Sequence, residues 1–537
     1  MTTGATPGWA VHLPRPPEAG DRSPSLPPLG STLPRAWAAR FEEAPDRPAL
    51  WEERRGWVRA GELDRATRRV AARLAGAGLR PGDRILMSAA TSVELVEAHV
   101  AALRLGLVVV PANTAYRERE IAHLVGDAAP RAAIVDDRQR ATWIQRARPD
   151  TLIFGPVVDT PVVGGAPVLD AAAPEDPALI AYTSGTTGAS KGAVLSHANL
   201  LASSESVRLA WRWDADDRLV LALPLFHIHG LGVGLHGTLL AGASAVLLPR
   251  FDPDGVLDAA ASHRATLFFG VPTMYARLAG SPRLGELGQL RLCVSGSAPL
   301  PPAVFDRLAD GSGQRVLERY GMTETGMNVS NPYDGERRPG TVGFPLPGVE
   351  LRLVRPREAG GVPPKTVAGA TGAGEIQLRG PNVFGGYRGQ PEATAAAFTD
   401  DGWFRTGDIG EHDADGYLRL VGRARELIIT GGLNVYPREV EDVLLEHPAV
   451  AEVAVAGVAD PEWGEVVTAW VVPARAASPP GAAELTGFAA DRLARFKCPR
   501  RVVFVESLPR NALGKILRHE LGTDGPAGGE GRPSAPD

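Results

Sequence analysis

The chain is expected to fold as an α/β protein: a large N-terminal domain of two doubly wound α/β subdomains plus a β-rich subdomain, followed by a small, mobile α+β C-terminal domain. Three observations predict it. Amphipathic helical stretches alternate with short buried apolar runs, the pattern of parallel sheets covered by helices. The texture then changes twice, to short alternating runs after about Gly343 and to a compact unit of its own after Arg423. Finally, 537 residues exceed what one hydrophobic core sustains, so several domains are required.

Residues 1–31 are rich in Pro and Gly with few side chains able to bury a face, and are expected to be a disordered tail, as are residues 522–537. The large domain is assigned to 32–423. Within it, "RAWAARFEEAPDRPALWEE" predicts a helix running into a strand, and "AGELDRATRRVAARLAGAGLRPGDRILMSA" a helix, a Gly/Pro turn and a strand. "SVELVEAHVAALRLGLVVVPAN" and "EREIAHLVGDAAPRAAIVDD" repeat that order, and between Phe268 and Leu317 strand, helix and strand recur as a second doubly wound unit. "VELRLV", "EIQLRG" and the hairpin signal Asp415-Gly416 mark the β-rich piece. In the small domain, 424–521, Pro437 opens a helix at the favoured first position, and "VAEVAVAGV", "VTAWVVPA" and "RVVFVESLP" predict strands.

Composition excludes several classes. A net charge of −5 with 22% charged residues offers no field for nucleic acid. Two cysteines, Cys293 and Cys498, in no ligand spacing predict neither a disulfide framework nor a zinc site. No apolar run reaches membrane-spanning length, and the N-terminus lacks the order of a secretory signal, so the cytoplasm is the expected location.

The densest chemical signal is "AYTSGTTGASKGAVLSH", Ala181 to His197. Its glycines let main-chain N–H groups converge and its hydroxyls add donors, which makes a nest for phosphate. The spacing is not that of a P-loop. It is followed in order by "LPLFHIHG", "SGSAPLP", "ERYGMTET", "GWFRTGD", "GRARELIITGGLNVYPREVE" and "PRNALGK". Together these motifs resemble the acyl-adenylate-forming superfamily, which includes acyl-CoA synthetases, firefly luciferase and nonribosomal peptide adenylation domains. The resemblance spans nearly the whole chain except its tails.

The resemblance implies a two-step ligase using ATP, Mg²⁺ and coenzyme A. A carboxylate attacks the α-phosphate to give acyl-AMP and pyrophosphate, and a thiol then displaces AMP. By the same resemblance Thr183, Ser184, Gly185, Thr186, Thr187, Gly188 and Lys191 surround the β- and γ-phosphates, and Ser297, Ala298 and Pro299 line the adenine and acyl pocket. Tyr320 and Gly321 lie beside adenine, Thr323 contacts the α-phosphate and Glu324 holds Mg²⁺. Asp408 and Arg423 take the ribose, and Lys515 bridges the carboxylate and α-phosphate. The resemblance also implies a pivot at Arg425, after which Gly431 and Gly432 line the path of the pantetheine arm.

The acid is less legible. The chain looks most similar to malonyl-CoA synthetases, which implies that the acid is malonate or methylmalonate and that Arg291 grips its distal carboxylate, with His229 as a further donor and His227 as the gate of the acyl pocket. Fatty or aryl acids are the alternative. A free-standing chain favours coenzyme A as acceptor, with a carrier protein as the other possibility and a silent nucleotide-binding protein as the distant one.

Overall fold

The computed structural model describes residues 8–13, 30–183, 190–354, 372–423, 426–430, 433–460, 463–476, 478–511 and 514–521. Ser184, Gly185, Thr186, Thr187, Gly188, Arg425, Gly431 and Gly432, and the tail from residue 522, lie outside these. The chain divides into two compact units, the second taking the chain from Leu420 together with Ala373–Glu375 and Gly407–Glu411.

The first unit contains the two expected sheets. In the seven-stranded one, Pro177–Tyr182, Val108–Pro111, Arg84–Ser88, Ala132–Val135 and Leu152–Phe154 are neighbours in that order and run parallel. Gly192–Ser196 and Gly386–Tyr387 extend it antiparallel. In the nine-stranded one, Leu317–Met322, Leu292–Ser295, Leu267–Gly270, Arg218–Leu221, Ser244–Leu247 and Pro48–Glu52 form the parallel centre. The strands Arg218–Leu221, Ser244–Leu247, Leu267–Gly270 and Leu292–Ser295 are mostly apolar, as helices on each side require, and Phe268, Val220 and Val246 are fully buried in them with Tyr275 packed against them. Four more strands, Glu350–Val354, Gly374–Arg379, Phe404–His412 and Leu418–Arg423, make the expected β-rich sheet, with Gly416 at φ +87° completing the Asp415-Gly416 turn.

The tail assigned to residues 1–31 needs correction. Its one apolar pentapeptide forms a 3-10 turn, Gly8–His12. His12 is fully buried, its ring nitrogen 3.2 Å from the Phe344 carbonyl oxygen, and the Arg212 guanidinium donates to the His12 carbonyl. Ala10 and His12 are the residues this segment buries, with Trp9 half-buried, and a Pro/Gly count over the whole stretch conceals them.

The "FHIHG" stretch opens an unusual helix. His229–Leu235 is a π-helix running into the α-helix His236–Ala241, a geometry that concentrates at functional sites. Gly230 permits it, since a Cβ there would stand 2.4 Å from the Pro224 carbonyl oxygen.

Beneath this helix lies a pair of buried imidazoles. His99 and His236 are stacked with centroids 5.1 Å apart and share a hydrogen bond of 2.8 Å between their Nε2 atoms, so one donates and the other accepts. Burial pushes His99 down to about 3, and His236 lower than its ordinary value for the same reason first. His12 and His197, both fully buried, are pushed down to about 4, mainly by burial. Each of these groups binds its proton more tightly in the unfolded chain. Their contribution to stability is therefore present above the unfolded value near 6.5 and lost progressively as pH falls below it. The melting temperature is expected to drop between pH 7 and pH 5, and to drop less in a His99→Leu/His236→Leu variant; thermal melts across that range check both.

The second unit is a sheet in which Val450–Asp460 and Gly464–Pro473 pair antiparallel, Arg501–Phe504 joins parallel, and Ile428–Thr430 and Leu433–Val435 complete one edge. The helix Pro437–Leu445, with Pro at its first turn as expected, buries Val440 and Leu444 against that sheet.

Candidate active site

The described ends of the Gly- and hydroxyl-rich motif belong to two paired strands. Pro177–Tyr182 and Gly192–Ser196 pair antiparallel, and Thr183 N–H donates to the Lys191 carbonyl at 3.0 Å. Both ends are tied to the helix Glu118–Ala128: the Tyr182 hydroxyl donates to Asp127, and His123 Nε2 lies 2.8 Å from the Ser190 carbonyl oxygen. Gly386–Tyr387 pairs beside the outgoing strand, which puts the Tyr387 ring 5.1 Å below the Lys191 ammonium. The Tyr387 hydroxyl donates to Glu324 Oε1 at 2.9 Å. Thus Lys191 and Glu324 meet through Tyr387, a residue absent from the sequence assignments, and Thr183 joins Lys191 through the backbone.

Glu324 sits in the tight turn between the antiparallel strands Leu317–Met322 and Gly326–Ser330. Buried amides fix the turn: Asn382 Nδ2 donates to the Thr325 carbonyl at 2.7 Å, and Asn328 Nδ2 to Thr325 Oγ1 at 2.7 Å. Glu324 itself is buried, Gly321 and Thr323 are half-buried, and Tyr320 is buried with its hydroxyl 3.8 Å from Met322 Sδ. Among the described residues no cluster of three or more His, Cys, Asp or Glu could hold a metal. A single buried carboxylate, held by the Tyr387 hydroxyl, suits Mg²⁺, which keeps several waters and needs few protein ligands.

Ser297 follows the carboxyl end of the strand Leu292–Ser295, where open α/β sheets place ligands. Its φ of +74° is costly for a residue with a side chain and turns the hydroxyl toward His229 Nδ1, 3.4 Å away. Ala298 is half-buried and Pro299 exposed on the same loop. His227 is half-buried, and desolvation lowers it to about 4, so its imidazole is neutral near pH 7. His229 is 2% exposed, its Nε2 has no partner among the described residues, and burial first, then Arg319, holds it uncharged.

Arg319 is a second residue that the sequence assignments missed. It lies in the strand Leu317–Met322 and is 4% exposed, and its Nε and Nη2 have no hydrogen-bond partner among the described residues. Burial pulls it down to about 9. Its Cζ sits 2.4 Å from where a Cβ on Gly296 would stand, so the guanidinium fills the space that glycine leaves. The neighbouring Glu318, on the strand's other face, accepts from Leu300 N–H at 2.9 Å and Gly340 N–H at 3.1 Å. A buried strand with a charge on each face was the available signal: such charges need partners, and only one finds its own within the described chain.

Arg291 requires the opposite correction. It precedes the strand Leu292–Ser295, at the end away from Ser297. Its Nε donates to Asp217 Oδ1 at 2.6 Å, its Nη2 to Asp217 Oδ2, and its Nη1 and Nη2 to the Trp211 and Arg212 carbonyls, both at 3.1 Å. Its donors are committed to this structural clamp, so the expected grip on a distal carboxylate is withdrawn.

In the second unit, Arg423 Nε pairs with Asp408 at 3.0 Å. Lys515 sits on a small turn closed by Asn511 N–H to the Lys515 carbonyl at 2.9 Å and Lys515 N–H to Asn511 Oδ1 at 3.0 Å. Burial lowers its pKa and Arg423 lowers it further, while Asp408 and Glu426 oppose. The Arg423–Asp408 pair thus acts electrostatically on Lys515 within the second unit.

Comparison with known proteins gives this arrangement a context. Residues 37–388 match the profile of the AMP-binding enzyme family, and residues 439–515 that of the AMP-binding enzyme C-terminal domain. The chain is 38% identical over 464 residues to a feruloyl-CoA synthase of Amycolatopsis sp, covering 86% of this chain and 92% of that protein. It is 36% identical over 492 residues to a malonate–CoA ligase of Arabidopsis thaliana, covering 83% and 78%. The ATP-bound structure of MatB from Rhodopseudomonas palustris superposes with a TM-score of 0.84 at 40% identity, covering 90% of this chain and 97% of that one. Among the described residues, no helix is long and apolar enough to cross a membrane.

Proposed function

The chain belongs to the AMP-binding enzyme family, and from that premise we propose that it is an ATP-dependent acid–thiol ligase that activates a small dicarboxylate of the malonate class and transfers it to coenzyme A. The family assignment and the CoA-ligase relatives support the ligase chemistry. The acid class rests on one observation. A guanidinium is buried at Arg319 beside Ser297 and His229, with two N–H groups that no described residue accepts.

A buried, uncompensated charge costs several kcal/mol, and a ligand carboxylate that accepts its parallel N–H bonds offsets that cost. An alkyl or aryl chain does not. The hydrogen-bonded pair of Ser297 and a neutral His229 supplies one further donor to the same anion, its other hydrogen being shared within the pair. The acid's second carboxylate then faces the nucleotide, where Lys515 provides the positive charge that lets two anions approach.

In the first half-reaction, a carboxylate oxygen of the acid attacks the α-phosphorus of ATP, the bond to the bridging oxygen breaks, and pyrophosphate leaves. Thr183 and Lys191, with Ser184, Gly185, Thr186, Thr187 and Gly188 of the sequence between them, hold the departing phosphates, and Asp408 with Arg423 holds the ribose. Glu324, steadied by Tyr387, would hold Mg²⁺, which supplies charge neutralisation for the phosphates when bound. In the second half-reaction, the thiol of coenzyme A attacks the acyl carbon and AMP leaves. A carboxylate is a poor electrophile, and the mixed anhydride divides a hard step into two easier ones. The pivot at Arg425, with a junction between 423 and 424, and the pantetheine path at Gly431 and Gly432 complete the same proposal. Coenzyme A is chosen over a carrier protein because both named relatives are CoA ligases or synthases. A cytoplasmic setting, where ATP and coenzyme A are available, goes with it.

Pyrophosphate release with malonate and with octanoate tests the reading. A kcat/KM ratio favouring malonate by about 10³-fold is expected, because a site with buried donors rejects a ligand that leaves them unmet. Equal turnover, or preference for octanoate, removes the dicarboxylate assignment; no AMP from any acid removes the ligase.

A further inference from the structure

The turn that carries Lys515 is secured at one end by Asn511. At the other end, three residues on, stands Arg518, and its contacts are out of proportion to a surface arginine near a chain end. Its Nε donates to the Val455 carbonyl at 3.2 Å, its Nη1 to Glu426 Oε2 at 2.8 Å, and its Nη2 to both oxygens of Glu441, at 2.7 and 2.9 Å. Glu441 in turn accepts the Val455 N–H at 2.8 Å, closing a ring of guanidinium, carboxylate and peptide. These acceptors belong to three different places: the segment just before the strand Ile428–Thr430, the helix Pro437–Leu445 and the strand Val450–Asp460.

We propose that Arg518 is a positioning residue for the acid-activating half-reaction, fixing the Lys515 turn to the body of the second unit so that the ammonium is presented at one place. This rests on the role of Lys515 given above. Arg518 touches no substrate in this account. It acts through the four residues from Lys515 to Arg518, a span whose other end is pinned by the bridge between Arg510 and Ile516. A planar fork suits the task, because its five donors lie at fixed angles and reach three acceptor groups at once. A lysine at 518 has one point charge and cannot span them. The two carboxylates also offset the Arg518 charge, which otherwise adds to the Arg423 charge in opposing protonation of Lys515.

The requirement falls on one half-reaction. Lys515 acts where the acid carboxylate meets the α-phosphate, and takes no part when thiol displaces AMP. A loosened turn therefore slows activation and spares transfer.

Arg518→Met and Arg518→Lys in the full-length enzyme separate this from a structural role. Acid-dependent pyrophosphate exchange is expected to fall in kcat by about 100-fold for Arg518→Met, with KM for ATP and acid changing less than about 3-fold, because a shift of about 1 Å in a catalytic group costs that much without altering binding elsewhere. Arg518→Lys recovers part of the loss. Thioester formation from supplied acyl-adenylate stays within about 3-fold of the parent in both, which also certifies that the second unit is folded. Equal losses in the two half-reactions, or full exchange activity in Arg518→Met, overturn the inference. Lys515→Ala run in parallel distinguishes the two failures: if it blocks exchange while Arg518→Met does not, only the role of Arg518 falls, and if Lys515→Ala exchanges normally the role of Lys515 falls and the inference with it.

Discussion

Arg319→Met is expected to lower kcat/KM for malonate by about 10³-fold, the loss that follows when one partner of a buried charge pair is removed. The same substitution is expected to leave the protein as stable as before or more so. In the ligand-free chain Arg319 has two N–H groups without acceptors among the described residues, and an apolar side chain of similar volume ends that desolvation cost. Opposite signs for activity and stability are the distinguishing result. Arg291→Ala reverses the pattern: it strips Asp217 of its guanidinium and lowers the melting temperature, because a buried carboxylate is left without its cation. Urea denaturation and malonate kinetics on the two variants decide the matter. Undiminished malonate turnover in Arg319→Met, with a destabilised fold, assigns Arg319 to the core and takes the dicarboxylate with it.

Lys515→Ala is expected to reduce acid-dependent pyrophosphate release by about 10³-fold, as loss of a preorganised charge at a phosphoryl transfer does, while thioester formation from supplied acyl-adenylate continues. The pH dependence carries a second signature. Lys515 serves only while protonated, and burial followed by Arg423 lowers its pKa below that of a free lysine. The alkaline loss of acid activation therefore begins at lower pH than an exposed lysine gives, and the transfer step does not share it. Identical alkaline limbs in the two half-reactions argue against Lys515 as the group that titrates.

The order of helices and strands was legible because it depends on periodicity that each segment carries by itself. Pro437 opens its helix, Asp415-Gly416 turns its hairpin, and the apolar strands between Phe268 and Leu317 form the parallel centre of a sheet. Partners far away in sequence were not legible. Arg291 and Arg319 both flank or enter strands of one sheet, and the sequence cannot show that Asp217, 74 residues upstream, claims the first and that no described residue claims the second. Tyr387 was missed for the same reason, since its bond to Glu324 spans 63 residues. The 3-10 turn at Gly8–His12 was hidden by its Pro-rich surroundings, and the π-helix at His229–Leu235 has no periodic signature distinct from an α-helix over seven residues.

The near-collision between Gly296 and Arg319 also restricts how the acid preference of this scaffold can drift. Substitutions at the two positions are thus expected to be non-additive: a larger residue at 296 displaces the guanidinium while Arg319 is present and meets open space once that side chain has shrunk.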